Sequence, residues 1–286
     1  MTEKYINPFT DFGFKKIFGE EANKDLLMDF LNELLQEKSK ITQLSFLKTE
    51  NLGAGEADRK AIFDLYCEND KGEKFIVELQ KAKQKYFKDR SLYYATFPIQ
   101  EQALKGDWDF KLKTVYTISI MDFIFDEKAN NHHKLRHDIA LIEIQTQEIF
   151  NDKLRFIYLE MPKFTKTEAE LETRFDKWLY ILKNLPKLEQ VPEKLREKIF
   201  LKLFETAEIA KYNTQEQYAY QDSLKYYRDL KNVINTAVEE AVGVAVEEAI
   251  IEIAKNAIQK GSNDDFIASI TGLSIDQIKQ LRNKLK

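Results

Sequence analysis

Strand-like runs of apolar residues concentrate between residues 41 and 159, and from Lys166 onward the pattern is helical. Ahead of the strands, residues 11–19 form an aromatic-rich helical turn. Residues 23–37 then set Leu26, Leu27, Phe30, Leu31, Leu34 and Leu35 on one broad face, which predicts a helix. A strand around 41–47 follows, then a loop with Gly53 and Gly55. Residues 61–67 and 74–80 are rich in β-branched and aromatic types and flank Asn69-Asp70-Lys71-Gly72, which carries turn chemistry, so they predict a hairpin. Residues 81–104 read as a helix with a kink or break at Pro98. Residues 114–120 predict a central strand, and 139–148 and 154–159 predict strands that extend the sheet. Helices are expected at 168–184, 192–206 and 214–228, followed by a long alanine- and valine-rich helix to about residue 259 that Gly261 stops. The last segment reads as two short helices around Gly272, with Ser274 as N-cap of the second. The spacing resembles a helix-turn-helix, and a helical hairpin that caps the domain is the reading preferred.

These elements divide the chain into an α/β domain over 1–190, a helical extension over 191–260 and a small helix-turn-helix-like cap over 261–286. The extension holds a near repeat, Ala237-Val238-Glu239-Glu240-Ala241-Val242 against Ala245-Val246-Glu247-Glu248-Ala249-Ile250. Its small apolar residues suit close helix pairing, within the chain or across a homodimer. The eight-residue offset does not sustain a heptad seam.

The hairpin carries the candidate chemistry. If the loop is Asp70-Lys71-Gly72, with Gly72 in the left-handed position, Asn69 faces Glu73 and Asp64 falls opposite Glu78. A two-residue loop, Lys71-Gly72, would instead set Asp64 against Leu79 and throw the carboxylates onto opposite faces. In the first register Asp64, Glu78 and Gln80 share a face, with opposed Cβ atoms roughly 4.5–5.5 Å apart. Acids on strands often form a solvated face. Here Asp64 is flanked by Ile62, Phe63, Leu65 and Tyr66, and Glu78 by Ile76, Val77 and Leu79. Such runs suggest strands covered on both faces. Two like charges there need a cation or a proton.

Composition narrows the setting. The 286 residues are 32% charged and 43% hydrophobic, with few Gly and Pro, as in a folded helix-rich protein. No apolar run approaches a bilayer span, and Met1-Thr2-Glu3-Lys4-Tyr5 is no signal peptide, so no membrane is expected. The single Cys67 excludes an intramolecular disulfide and a multi-cysteine zinc site and fits a reducing cytoplasm. It reads as a small strand hydrophobe. The net charge of −4 is awkward for a nucleic-acid binder, yet Lys81, Lys83, Lys85, Lys88 and Arg90 cluster against Asp89 alone. Tyr86, Arg90 and Tyr94 share a stripe at a spacing of four, either as a packing seam or with Arg90 on a phosphate and Tyr94 positioning it. His132, His133 and His137 include an i,i+4 pair, but with no helix evident there they read as a polar surface loop. No phosphate-cradling Gly-rich loop and no Gly-x-Ser-x-Gly is present.

An order of helix, strand, Asp-bearing strand, Glu-bearing strand, basic helix and strand resembles the core of the PD-(D/E)XK nuclease fold, an α/β mixed sheet flanked by helices, here with a helical C-terminal region. More closely, the chain resembles the recombination-promoting nucleases, also called PD-(D/E)XK nuclease family transposases. The likeness runs through residues 7–19 (NPFTDFGFKKIFG), Phe30-Leu31-Asn32, Phe63-Asp64, Val77-Glu78-Leu79-Gln80 and Arg90-Ser91-Leu92-Tyr93-Tyr94. It continues through residues 159–164 (LEMPKF), Lys177-Trp178-Leu179-Tyr180 and Thr271-Gly272-Leu273-Ser274. Each motif is weak alone, and their order together is specific.

The resemblance implies a metal-dependent DNA endonuclease of low sequence specificity that promotes recombination by making breaks. Asp64 and Glu78 would be ligands of Mg²⁺, with Mn²⁺ as the substitute ion, and Gln80 would be the third catalytic residue. Lys81, Lys83, Lys85, Arg90 and Tyr94 would hold DNA. Gln80 stands where relatives of the wider fold carry lysine, and neutral glutamine only donates or accepts hydrogen bonds. Lys81 or Lys83 would then supply the positive charge, and Glu33 of the first long helix is a further acidic candidate. The alternative is a weakly active or inactive nuclease-fold protein that binds DNA or regulates.

Overall fold

The computed structural model describes residues 3–36, 40–51, 61–103, 108–124 and 133–285. In chain order its strands are β1 (Leu44–Phe46), β2 (Glu50–Asn51), β3 (Ala61–Ile62), β4 (Leu65–Asn69), β5 (Lys74–Gln80), β6 (Val115–Met121), β7 (Arg136–Ile142) and β8 (Ile149–Glu160). Six of them form one mixed sheet in the order β1-β4-β5-β6-β8-β7, while β2 and β3 pair with each other. β5, β6 and β8 run parallel at its centre, and antiparallel partners occupy both edges. β6 is buried at every residue from Val115 to Met121, the small polar Thr117 and Ser119 included, as a strand covered on both faces requires.

The hairpin register is the three-residue one. Gly72 adopts φ 77°, Asn69 N–H donates to Glu73 O (3.0 Å), and Gly72 N–H donates to Asn69 O (3.0 Å). Leu65 pairs with Val77 and Glu68 with Lys74, so the next pair outward is Asp64 and Glu78.

The helices are α1 (Asp11–Phe18), α2 (Lys24–Leu35), α3 (Phe87–Gln100), α4 (Arg174–Asn184), α5 (Lys198–Ala207), α6 (Thr214–Gln259), α7 (Asp264–Thr271) and α8 (Ile275–Lys284). One sheet face, with Leu65, Val77, Ile118 and Leu159, joins α1, α2, α4 and α5 in the main core around Trp178. The opposite face packs on α3, through Ile76 and Tyr66 at one end and Met121, Phe156 and Tyr158 at the other. α3 therefore lies on the face that carries Glu78 and Gln80.

Several expectations need correction. The helix read over 81–104 begins only at Phe87, and Lys81 to Tyr86 form a loop. A β5–α3–β6 crossover must turn back onto the sheet before the helix can start. Leu104 lies outside the described residues, as do Gly53, Gly55 and His132. The strand expected over 139–148 stops at Ile142; residues 143–148 turn into β8, with Gln147 at φ 60°. His137 belongs to strand β7 rather than to a loop. The two helices expected between 214 and 259 are one continuous α6.

The chain forms two compact units, Met1–Tyr227 and Arg228–Lys286. In the first, residues 191–227, expected as an extension, supply Leu195, Phe200, Leu203, Phe204, Tyr220 and Leu224 to the main core. In the second, Ala254 and Ile258 of α6 pack with Ile267 of α7 and Ile278 of α8. Gly261 (φ 81°) ends α6, Gly272 (φ 74°) ends α7, and Ser274 caps α8 through a reciprocal bond pair with Gln277. Arg282 is bound to Asp264 (2.7 Å) and Ser262 O (2.8 Å), so part of the positive charge of α8 is used inside this unit. Among the described residues no helix is long and apolar enough to cross a membrane.

Candidate active site

β5 delivers Glu78 and Gln80 to the end of the sheet, both 7% exposed. Asp64 is half-buried at a bend just before β4. There the ladder gives way to side chains: Asp64 N–H donates to Glu78 Oε1 (3.2 Å), and Leu79 N–H donates to Asp64 Oδ2 (2.7 Å). Each carboxylate thus satisfies a main-chain donor of the opposite strand, which fixes both without neutralising either.

The bend gives the two acids different surroundings. Asp64 lines a cleft of about 530 Å³ with Asp11, Phe12, Lys15 and Lys16 of α1. Burial pushes its carboxyl up, Leu79 N–H opposes this, and Asp11 pushes up while Lys15 and Lys81 pull down. α1 owes its position to the Asn7-to-Thr10 turn. Asn7 O accepts from Thr10 Oγ1 (2.8 Å), Thr10 Oγ1 caps Gly13 N (2.9 Å), and a Cβ on Gly13 would stand 2.1 Å from Asn7 O. Only glycine fits there, which accounts structurally for the first family-like motif.

Glu78 is held from the α3 side. Gln80 Nε2 donates to Glu78 Oε2 (3.0 Å), and Gln80 Oε1 accepts from Arg90 Nη2 (2.5 Å). Arg90 also binds Gln84 and lies 5.8 Å from the centroid of the Tyr94 ring. Burial first, and the Asp64 charge second, push the Glu78 carboxyl up to about 8; Asp64 N–H, Arg90 and Gln80 pull against them. Burial and the neighbouring Asp64 charge thus favour a proton or a cation on Glu78 over a bare carboxylate.

The residues singled out in the sequence divide accordingly. Asp64, Glu78, Gln80 and Arg90 come together. Lys81 turns to the α1 side, where it pairs with Asp11 (2.7 Å) and stands over Tyr226. Lys83 and Lys85 are exposed in the loop, Lys85 beside the Tyr86 ring. Tyr94 packs edge-on against Phe63, and burial raises its hydroxyl. α2 carries Glu33 within electrostatic range of Arg174; the acid of the N-terminal helices that acts on Asp64 is Asp11. His137 bonds Glu160 (2.8 Å), a fully buried carboxylate that also pairs with Lys163 (2.8 Å). The Lys177–Tyr180 motif is a core feature, with Trp178 Nε1 on Asp29 (2.7 Å). Sequence reasoning missed Asp11 and Lys15 beside Asp64, and no spacing signal joins residues so far apart.

Asp64 and Glu78 fit a divalent cation of the hard, oxygen-preferring kind: two carboxylates near enough to perturb each other, one of them buried. Among the described residues no group of three or more His, Cys, Asp or Glu gathers at one point. Water and substrate oxygens would complete the shell, as Mg²⁺ commonly allows. No curated protein and no solved structure matches the chain. A family model described as PD-(D/E)XK nuclease family transposase matches residues 8–237.

Proposed function

The chain belongs to the PD-(D/E)XK nuclease family transposases, and from that premise we propose that it is a metal-dependent DNA endonuclease of low sequence specificity. The observation that carries this reading is the buried Glu78 carboxyl set opposite Asp64, each acid accepting a main-chain N–H from the other's strand. Asp64 and Glu78 would hold Mg²⁺ or Mn²⁺. Such an ion, once bound, would activate water and neutralise charge at the displaced phosphodiester. Glu78 would bind such an ion as the deprotonated carboxylate. Gln80, engaged on both sides, keeps the Glu78 carboxylate oriented, and Arg90 behind it supplies the positive charge that glutamine lacks. Lys83 and Lys85 contact the DNA backbone, which carries no sequence information. The breaks would promote recombination, in a reducing cytoplasm that suits the buried free thiol of Cys67.

Nicking of supercoiled plasmid tests the reading. Activity is expected with Mg²⁺, none with EDTA, and a loss of at least about 100-fold in Asp64→Ala and in Glu78→Ala, as for removal of an essential charge-stabilising group. Unchanged nicking in both variants would sink the assignment. A second reading, a nuclease-fold protein that binds DNA or regulates with little catalysis, is favoured by the Gln80 amide being consumed by Glu78 and Arg90. Calorimetric titration separates the two: DNA affinity without Mg²⁺ affinity supports the second.

A further inference from the structure

Beside the carboxylates, on the outer side of Arg90, lies an open cleft of about 760 Å³ whose lining includes Lys85, Tyr86, Asp89, Arg90, Tyr93 and Tyr94. Its tyrosines are not hidden. Tyr86 is 64% exposed and Tyr93 43% exposed. The Tyr93 ring is nonetheless braced, edge-on against Phe97 at 5.2 Å and 89°. Cations sit among the rings: Lys85 Nζ is 5.4 Å from the Tyr86 centroid, and the Arg90 guanidinium 5.8 Å from that of Tyr94.

We infer that this cleft is a stacking platform for unpaired DNA bases, with Tyr86 and Tyr93 as its rings, so that the substrate is single-stranded or locally melted DNA. The inference rests on the reading of the chain as a DNA nuclease and names the form of its substrate. Three physical points carry it. Inside a duplex the base faces are covered by their neighbours, so an exposed tyrosine ring in a concave wall meets a base face only when that base has left the stack. Duplex affinity is supplied mainly by many phosphate contacts, whereas the net charge here is −4 and the basic cluster is confined to residues 81–90. Ring stacking with a few flanking cations is the combination that binds single strands without reading sequence. Arg90 joins the platform to the acids: it faces Tyr94 and, through Gln80, reaches Glu78. A strand whose bases stack on the tyrosines therefore has its backbone beside the candidate metal ligands.

Fluorescence anisotropy of the full-length protein in EDTA, with a labelled twelve-nucleotide oligothymidylate and with a blunt duplex of equal length, tests this apart from cleavage. Single-strand binding is expected to be about tenfold tighter than duplex binding. Tyr86→Ala and Tyr93→Ala each weaken it by about tenfold, the effect of losing one base–ring stack, and leave duplex binding where it was. Tyr86→Phe and Tyr93→Phe retain it, which excludes a folding defect. With some three lysines on the backbone, the slope of log K against log salt is about −2. Equal affinity of the wild type for both DNAs overturns the inference, as do alanine variants that lose both affinities in parallel or neither. Selective binding that needs the tyrosines, with both plasmid and the oligothymidylate left uncut in Mg²⁺, keeps the platform and removes the nuclease reading. Asp64- and Glu78-dependent cutting without single-strand preference does the reverse.

Discussion

Glu78→Gln tests whether the buried acid is kept in the fold at a cost that only a cation relieves. A carboxyl moved from 4.5 to about 8 disfavours its charged form by about 4–5 kcal/mol, at 1.36 kcal/mol per pH unit. The sign follows from the direction. An acid whose folded-state value is raised leaves the fold fully stable below 4.5, and stability is lost as pH climbs through that value to about 8. Glutamine carries no charge and escapes the loss. It does disturb the bond pattern, because its amide cannot accept from both Asp64 N–H and Gln80 Nε2 as the carboxylate does. If Gln80 turned over to compensate, its amide nitrogen would face Arg90. One spoiled hydrogen bond costs about 1 kcal/mol, so the net gain above pH 8 is about 3–4 kcal/mol.

Thermal unfolding in EDTA, followed by circular dichroism from pH 5 to pH 8.5, reads this out. At about 2–4 °C per kcal/mol for a domain of this size, Glu78→Gln is expected to melt about 10 °C above the wild type at pH 8.5. The two curves should converge towards pH 5. Asp64 is present in both proteins, so the difference isolates Glu78 and its coupling to Asp64. Saturating Mg²⁺ raises the wild type, by about 2.7 kcal/mol at a hundred times its dissociation constant, and leaves the variant where it was. A variant less stable than the wild type at pH 8.5 in EDTA, or a gap that does not vary with pH, refutes the argument.

Other perturbations probe neighbouring links. Arg90→Ala removes a charge that pulls the Glu78 carboxyl down, so at subsaturating Mg²⁺ the rise of nicking with pH shifts to more alkaline values; an unshifted profile would mean Arg90 acts only on DNA. Gln80→Lys sets an ammonium where Arg90 Nη2 now donates at 2.5 Å. It should lower both the melting temperature and activity, while Gln80→Lys with Arg90→Gln recovers stability, a coupling of about 1–3 kcal/mol in a double-mutant cycle. Gly72→Ala must hold a side chain at φ 77°, with only ordinary contact to Lys113 at 3.5 Å. The backbone cost of about 1–2 kcal/mol should appear as a lower urea midpoint with an unchanged slope.

How much of this was legible in the sequence depended on the range of the force involved. The hairpin register was readable because it rests on one local need, a left-handed residue three places after Asn69, and Gly72 meets it. The same holds for Gly261 and Gly272, and for β6, whose large apolar residues, with only the small Thr117 and Ser119 between them, belong to a strand with both faces covered. The turn at 143–148 was missed because it contains no glycine or proline; Glu143 O accepts from Gln147 N (2.9 Å) while Gln147 takes the left-handed conformation. The break expected near Arg228 was a change in composition, from aromatic residues that pack in the core to exposed Ala and Val. Nothing there interrupts the i→i−4 ladder, so the helix continues. The basic stretch at 81–86 has ordinary helix formers, yet Lys81 pairs with Asp11, seventy residues away in sequence, and that contact competes with helix start. The candidate site follows the same logic. Opposition of Asp64 and Glu78 is a matter of local register and could be read. The bend that turns Asp64 towards α1, and the Arg90–Gln80 bond that replaces a lysine, depend on which distant group answers a buried charge. Glutamine and arginine each look neutral to the motif when read singly; as a bonded pair beside Glu78 they return a positive charge to the position from which the sequence had removed it.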